Sequence, residues 1–157
     1  MEIRPLRLAD SHEIWKINEQ GLPGTGKVSE DEIVDLLHYS SFSVGAFDGE
    51  VLLGFVICLP PGTSYGSPNY TWFSQNYNDF LYVDRIAVSL DQRNRMIGTE
   101  LYLEVFKQAA NLGVPVTAEV NLRPPNPDSV RFHLRHDFVE VGQVEHGHKA
   151  VIMMLRD

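Results

Sequence analysis

Residues 80–112 read FLYVDRIAVSLDQRNRMIGTELYLEVFKQAANL, and this stretch decides the fold. It begins with Phe80–Val88, an apolar run typical of a buried strand, and a polar turn follows at residues 91–98. Apolar side chains then recur at helical spacing on one face, at Leu101, Tyr102, Val105, Phe106, Ala109 and Leu112. The stretch therefore predicts a strand that leads through a basic turn into a long helix.

The turn before this helix has the features of an anion-binding site. The first backbone N–H groups of a helix have no partner within it, and the helix dipole is positive at that end. Arg93 and Arg95 add positive charge, and Gly98 allows a ligand to approach the backbone closely. Because phosphate is the usual anion at such a place, the sequence predicts a phosphate-bearing ligand here.

The composition is that of a globular protein with an acidic surface. Thirteen basic and 21 acidic residues give a formal charge of −8, which disfavours nucleic acid as the main partner because nucleic-acid affinity comes largely from neutralised phosphates. The longest apolar run, Val51–Leu59, is too short to span a bilayer, and the N-terminus has no apolar signal core. The single cysteine, Cys58, fits a reducing compartment. We therefore expect a cytoplasmic protein with no membrane partner.

No linker or repeat divides the chain, so we expect one domain over residues 1–157. Capping patterns predict helix starts at Asp10–Glu13, Ser29–Glu32 and Asn126–Pro127, and Gly113 predicts the end of the long helix. Strands are predicted at residues 3–8, 42–47, 51–59, 80–88, 114–122, 138–144 and 149–155, with a hairpin at Asp48-Gly49 and an aromatic loop over residues 60–78. The order β-α-α-β-β-β-α-β-α-β-β predicts an α/β (α+β) fold, in which helices pack on a mixed sheet.

One glycine-rich segment imitates a nucleotide-binding loop. Residues 21–27, GLPGTGK, fit the first seven positions of the P-loop pattern G-x-x-x-x-G-K-[ST], but the eighth position is Val28. A valine has no hydroxyl for a magnesium ion, and the segment follows an amphipathic helix rather than a buried strand. We therefore interpret it as a turn between two helices.

Two segments resemble motifs of the GNAT superfamily of N-acetyltransferases. The end of the basic turn, Arg93-Asn-Arg-Met-Ile-Gly98, is similar to the superfamily's acyl-CoA motif R/Q-x-x-G-x-G/A. Residues 126–133, NPDSVRFH, followed by Asp137-Phe138, are similar to its second motif, N-x-x-A-x-x-F/L-Y followed by Gly-Phe. The order of strands and helices is also similar over nearly the whole chain.

This chain departs from the two motifs at three positions. Met96 stands where the first motif has its first glycine, and we expect it to keep a negative φ. Asp137 replaces the glycine before Phe138, and we expect it to adopt the left-handed conformation that aspartate tolerates. His133 replaces the tyrosine of the second motif.

The resemblance implies a fold and a cofactor. The fold is a mixed, mostly antiparallel sheet, flanked by helices, whose central parallel strands splay apart. Acetyl-CoA is the implied co-substrate: its pyrophosphate would lie on the turn before the long helix, its pantetheine arm along the preceding strand, and its acyl carbonyl near Ala87–Val88. The cofactor-binding residues so implied are Ile86, Ala87, Val88, Arg93, Asn94, Arg95, Met96, Ile97, Gly98, Thr99 and Asn126. No metal is implied, and no cysteine accompanies the histidine pairs 133/136 and 146/148.

The implied reaction is direct acetyl transfer from the thioester to a primary amine through a tetrahedral intermediate. Such an amine has a pKa near 10, so a base must first remove a proton. Alternation along the strand puts Tyr82, Asp84, Ile86 and Val88 on one face. Asp84 is therefore the first candidate base, with an ion pair to Arg85 as its alternative role.

Two further residues are candidates for proton transfer. Glu119 is the second candidate base, with an alternating, solvent-facing position as its alternative. His133 is the candidate acid for the departing thiolate, with an ordinary partly buried helix histidine as its alternative.

The acceptor, a small-molecule amine or a peptide, cannot be identified from the sequence. The candidate substrate residues are Tyr70, Trp72 and Tyr77, from the aromatic loop, and Asn18, whose placement rests on the resemblance. The aromatic residues have an alternative role as a cover over the sheet or as a dimer contact, and a homodimer through residues 138–155 is compatible with the sequence. The alternative function is a non-catalytic acyl-CoA-binding module.

Overall fold

The computed structural model describes residues 1–157 and contains one sheet with helices on both of its faces. The strands are β1 (Glu2–Pro5), β2 (Phe42–Asp48), β3 (Val51–Leu59), β4 (Leu81–Val88), β5 (Val116–Arg123), β6 (Val139–His146) and β7 (Lys149–Arg156). The helices are α1 (Ser11–Gln20), α2 (Glu30–Tyr39), α3 (Pro68–Asn76), α4 (Ile97–Leu112) and α5 (Pro127–Arg135). Short 3-10 turns lie at Leu8–Asp10 and Leu90–Gln92.

The seven strands lie in the order β1-β2-β3-β4-β5-β7-β6. Every neighbouring pair is antiparallel except β4 and β5, which are parallel. The parallel pairing is confined to Leu81 with Val116 and Tyr82 with Thr117, and beyond these pairs the two strands separate. The predicted fold class, with its splayed central parallel strands, is confirmed.

Apolar side chains form a cluster on each face of the sheet. On one face α4 contributes Leu101, Val105 and Phe106, as the helical spacing predicts. On the other face α1 and α2 contribute residues such as Ile14 and Ile33. Burial of these two stripes stabilises the sheet from both sides and leaves the separation of β4 and β5 as the break in its surface.

Most of the predicted helix boundaries are confirmed by their capping contacts. Ser29 and Glu32 form a reciprocal capping box, Gly113 ends α4 at φ 71°, and the Asn126 side chain accepts from the backbone N–H of Ser129. Helix α1 begins at Ser11, directly after Asp10, as the pattern predicts, but the Asp10 side chain does not cap it, because its carboxylate accepts from the backbone N–H of Arg7 instead.

The segment predicted as a loop, residues 60–78, contains a helix, α3. Ser67 caps this helix by accepting from the N–H of Tyr70, and Pro68 occupies its first turn. Only Tyr70 and Phe73 of the helix are buried, so its apolar stripe is too short to stand out against the surrounding proline and glycine residues.

A β-bulge in β4 overturns the expected alternation of that strand. Val83 pairs with Cys58 and Arg85 pairs with Ile57, so Asp84 is an extra residue without a partner on β3. Because of the extra residue, the side chains after it point to the opposite face of the sheet from the one that simple alternation predicts. Tyr82 packs in the cluster beneath α1 and α2, whereas Ile86 and Val88 pack against the α4 cluster. The prediction that Tyr82, Asp84, Ile86 and Val88 share one face is therefore wrong.

Candidate functional site

The separation of β4 and β5 opens a groove made of three adjoining cavities. The inner pocket, of about 370 Å³, lies over Asp84 and Glu119. The helix-end groove, of about 310 Å³, lies beside Gly98 at the start of α4. A third cavity of about 310 Å³ connects them, and Gly24 lines all three.

The start of α4 presents unpaired backbone donors to the helix-end groove. The first bond within the helix runs from the N–H of Glu100 to the carbonyl of Met96, and no side chain caps the helix. The N–H groups of Ile97, Gly98 and Thr99 consequently have no acceptor within the helix. Arg93 lines the same groove, so N–H donors, the helix dipole and a guanidinium meet at one point, as an anion site requires.

The side chains of the motif residues between Arg93 and Gly98 lie outside this groove. Met96 has φ 62° and is 67% exposed, so the expectation of a negative φ is wrong. Asn94 also has a positive φ, and Arg95 donates to the Gln92 side chain. If these residues take part in binding, they do so through their backbone. The expected left-handed conformation of Asp137, in contrast, is confirmed at φ 68°.

One wall of the helix-end groove is the free edge of β4. Ile86, Ala87 and Val88 line it, and no strand pairs with this side of β4 beyond Tyr82. An unpaired strand edge can accept an extended ligand as an additional strand. Asn126, which caps α5, lies on the opposite wall.

Glu119 is a half-buried residue of β5 that lines the inner pocket. The Tyr82 hydroxyl donates its one proton to the carboxylate, with both oxygens at 2.8 Å, and Asn69 Nδ2 donates to Oε1 at 3.3 Å. Burial, and secondly the charge of Asp84, raise the pKa of Glu119 to about 8, although the two hydrogen bonds act in the opposite direction. A carboxyl group with this pKa exchanges its proton near neutral pH, as a general base must.

Asp84 lines the same pocket but is held in an ion pair. Its Oδ2 accepts from Arg85 Nε at 2.7 Å, and the Asp84 and Arg85 side chains are only 3% and 7% exposed. Arg85 Nη1 also donates to the side chain of Asn18 and to the carbonyl of Gly26. The alternative role of Asp84, an ion pair with Arg85, is therefore what the structure contains.

Asn18 does not face the pocket as a substrate residue would. It is fully buried, and its Nδ2 donates to the carbonyl of Gly26 at 3.1 Å while its Oδ1 accepts from Arg85. Asn18 therefore ties the loop between α1 and α2 to β4, and the prediction that it contacts substrate is corrected to this structural role.

His133 lies in the core rather than in the groove. It is 4% exposed, its Nε2 is 2.7 Å from the Tyr102 hydroxyl, and its Nδ1 is 2.8 Å from the Ser129 carbonyl oxygen. Burial lowers the pKa of the ring. Because both ring nitrogens are engaged between α4 and α5, the structure does not bring His133 together with Asp84 and Glu119, and its predicted role as the acid loses its geometric basis.

The predicted aromatic substrate residues cover the sheet instead of lining the pocket. Tyr70 is buried and donates to the carbonyl of Pro60 at 2.6 Å. Trp72 lies so close to Gly142 of β6 that a Cβ there would approach it to 2.7 Å. Tyr77 packs beside Trp72, at 6.5 Å between ring centroids. Their alternative role as a cover over the sheet is the one that the contacts support.

Several residues that shape the inner pocket were not among the predicted site residues. They are Tyr65, Asn69, Arg85, His146 and Lys149, which line it, and Tyr82, which binds Glu119. Tyr65 and Tyr82 lie within segments already assigned to the site, but Asn69 lies on a helix that the sequence did not predict, and His146 lies at the end of β6, where no recognisable pattern marks it. No group of three or more histidine, cysteine, aspartate or glutamate side chains comes together to hold a metal ion.

Comparison with known proteins agrees with this geometry. A family model described as the acetyltransferase (GNAT) family matches residues 10–138. No curated protein matches the chain. None of its helices has the length and apolar character needed to cross a membrane.

Several solved structures share the fold at low sequence identity. The ribosomal-protein-S18-alanine N-acetyltransferase from Escherichia coli superposes with a TM-score of 0.76 at 15% identity, covering 99% of this chain and 92% of that one. NAA60 from Arabidopsis thaliana, solved with a bisubstrate analogue, gives 0.77 at 18% identity, covering 98% and 95%. The yncA protein from Salmonella typhimurium, solved with its cofactor acetyl-CoA, gives 0.72 at 16% identity, covering 99% and 92%.

Proposed function

This chain belongs to the GNAT acetyltransferase family, and we propose that it transfers an acetyl group from acetyl-CoA to a primary amine of a small molecule or peptide. The observation that carries the proposal is the continuous groove between β4 and β5. It joins uncapped helix N–H groups at one end to a carboxyl group with a pKa of about 8 at the other.

The helix-end groove has the groups that acetyl-CoA needs. The N–H groups of Ile97, Gly98 and Thr99, together with Arg93, would bind the pyrophosphate. The free edge of β4 at Ile86–Val88 would pair with the pantetheine arm, and the thioester would then lie near the inner pocket.

The inner pocket has the groups that the amine needs. We assign Glu119 as the general base, because its carboxyl group has a pKa of about 8 and no ion pair, while Asp84 is held in its pair with Arg85. Glu119 would take a proton from the ammonium group, and Asp84 contributes by raising the pKa of Glu119.

Acetyl transfer then requires one bond to form and one to break. The freed amine attacks the thioester carbonyl, and a backbone N–H near Ala87–Val88 would stabilise the oxyanion of the tetrahedral intermediate. As the intermediate collapses, the carbon–sulfur bond breaks and the acetyl group remains on nitrogen, while the departing thiolate takes the second proton of the attacking nitrogen and leaves as the CoA thiol. Glu119 holds the proton that the amine has lost.

Calorimetry followed by a turnover screen tests the proposal. We expect micromolar binding of acetyl-CoA and desulfo-CoA but not of magnesium–ATP, and thiol release with at least one member of a panel of small amines and peptides. Absence of CoA binding would contradict the cofactor assignment. Binding without turnover for any acceptor would instead favour the non-catalytic acyl-CoA-binding module.

A further inference from the structure

A chain of hydrogen bonds links the inner pocket to the end of β6. His146 Nε2 is 2.8 Å from Asn69 Oδ1, Asn69 Nδ2 donates to Glu119 Oε1 at 3.3 Å, and the Tyr82 hydroxyl donates to the same carboxylate. His146 is the last residue of β6, Asn69 lies in the first turn of α3, and Glu119 lies on β5. Three elements distant in sequence therefore meet at one carboxyl group.

The chemistry of these groups fixes the direction of each bond. When Glu119 is ionised its carboxylate only accepts hydrogen bonds, so in that state Asn69 turns its NH₂ group towards Glu119. Its carbonyl oxygen then faces His146, which must carry a proton on Nε2 in order to donate. The histidine thus fixes the orientation of the amide, and the amide fixes one oxygen of the carboxylate.

We propose that Asn69 and His146 are positioning residues for the base of the acetyl transfer: His146 orients the Asn69 amide, and the amide holds Glu119 in its ionised, proton-accepting form. This inference rests on the proposed function. It gives the β6–β7 turn and α3 a part in catalysis without requiring either residue to touch the reacting atoms.

Other charged and titratable groups also face Glu119, and the test must separate them from Asn69. Asp84, Arg85 and Tyr82 reach it from β4. Tyr65, Lys27 and Lys149 line the same pocket from the segment before α3, the α1–α2 loop and the start of β7. Asp84 and Arg85 form an ion pair, so their effects on Glu119 are opposed. Removing Asn69 deletes one donor to the carboxylate and leaves these charges in place.

The experiment is the pH profile of kcat/KM for Asn69→Ala, His146→Ala and His146→Gln, with the best acceptor found in the screen. Loss of a hydrogen bond to the charged form raises the pKa of a carboxyl group. We therefore expect Asn69→Ala to move the rising limb of the kcat/KM profile to higher pH by roughly 0.5–1 pH unit. His146→Ala should move this limb in the same direction but by less. His146→Gln keeps a side-chain N–H and should restore the limb, while acetyl-CoA affinity stays unchanged in all three.

His148→Ala is the matched control, because this second histidine lies in the turn directly after β6 and its side chain makes no hydrogen bond. It should keep the wild-type profile. The proposal is overturned if the rising limb of the pH profile keeps its wild-type position in both Asn69→Ala and His146→Ala. It is also overturned if His148→Ala moves the limb as far as they do.

The titration of Glu119 itself provides a readout that does not need turnover. Its side-chain carbon can be followed by NMR in protein labelled at glutamate, with Glu119→Gln identifying the resonance. A midpoint that rises in Asn69→Ala supports the positioning role even if every acceptor fails, in which case only the proposed function fails. An unchanged midpoint contradicts the positioning role directly.

Discussion

The two ends of the groove are built in different ways. The helix-end groove consists of main chain from nearby segments: the edge of β4 at Ile86–Val88 and the N–H groups at the start of α4. The inner pocket consists of side chains brought together from α3, β4, β5 and the β6–β7 turn, among them Asn69, Asp84, Glu119 and His146.

Because of this difference, the two ends should respond differently to substitution. Every residue except proline supplies a backbone N–H, so the helix-end groove tolerates Met96 in place of glycine. A side-chain site has no such tolerance, because the charge and reach of one carboxylate determine what it does. Single substitutions should therefore act more strongly in the inner pocket than in the helix-end groove, unless they fill the groove.

The largest effect is expected for Glu119→Gln. The amide cannot accept the ammonium proton, and general base catalysis contributes typically 10²–10⁴-fold, so kcat/KM should fall by about that factor. Acetyl-CoA affinity should not change, because the cofactor groups lie at the other end. In the wild type, kcat/KM should rise with pH through about 8 as Glu119 loses its proton, and the variant should lose this limb.

Asp84→Asn is the comparison that assigns the base. It removes the carboxylate that is held by Arg85, and because the charge of Asp84 raises the pKa of Glu119, it should move the limb to lower pH while activity remains. If Asp84→Asn abolishes turnover and Glu119→Gln does not, Asp84 is the base and the assignment here is wrong.

Filling the helix-end groove should have the second largest effect. A Cβ at Gly98 would lie 3.6 Å from the Phe132 ring, which is an ordinary contact, and in Gly98→Val the two further methyl groups would extend into the ligand's space. We expect acetyl-CoA affinity to fall about 10- to 100-fold, or roughly 1.4–2.7 kcal/mol, by calorimetry. Gly66→Val, at a glycine with open space around it, is the control and should bind normally.

The same contrast explains what the sequence could predict. The strand β4, the basic turn, α4 and the caps at Ser29, Gly113 and Asn126 were all predicted correctly, because each has a local signal of spacing or capping. The helix-end groove follows from those elements, since its donors are the backbone of one of them.

The inner pocket could not be predicted in the same way. A β-bulge at Asp84 changes the faces of β4 and has no signal in the residue pattern. The contacts of Glu119 with Asn69 and Tyr82 depend on strand register and on a helix whose short apolar stripe was overlooked. His133 fits a motif position, but packing against Tyr102 withdraws it from the groove.

Removing charge from the helix-end groove should have a smaller effect than filling it. Arg93 is exposed and forms no ion pair, so Arg93→Gln removes one solvated contact to the pyrophosphate and leaves the backbone donors in place. We expect acetyl-CoA affinity to fall about 3- to 10-fold at low salt and less at high salt, because screening already weakens the contact. Arg7→Gln removes the same charge from an exposed residue outside the groove, and an equal loss there would contradict the assignment.

The smallest effect is expected for Met96→Gly, and it concerns stability rather than binding. The left-handed conformation costs a side-chain-bearing residue roughly 1–2 kcal/mol, of which the greater freedom of glycine in the unfolded chain offsets roughly 0.5–1 kcal/mol. Met96 adopts φ 62° with little packing to lose, so the free energy of unfolding in urea should rise by roughly 0.5–1 kcal/mol. Met96→Ala keeps the Cβ and should gain nothing. If alanine stabilises the protein as much as glycine does, the strain comes from the methionine side chain and not from the backbone conformation. Acetyl-CoA affinity should be the same in both variants, because the donors at the start of α4 are main chain.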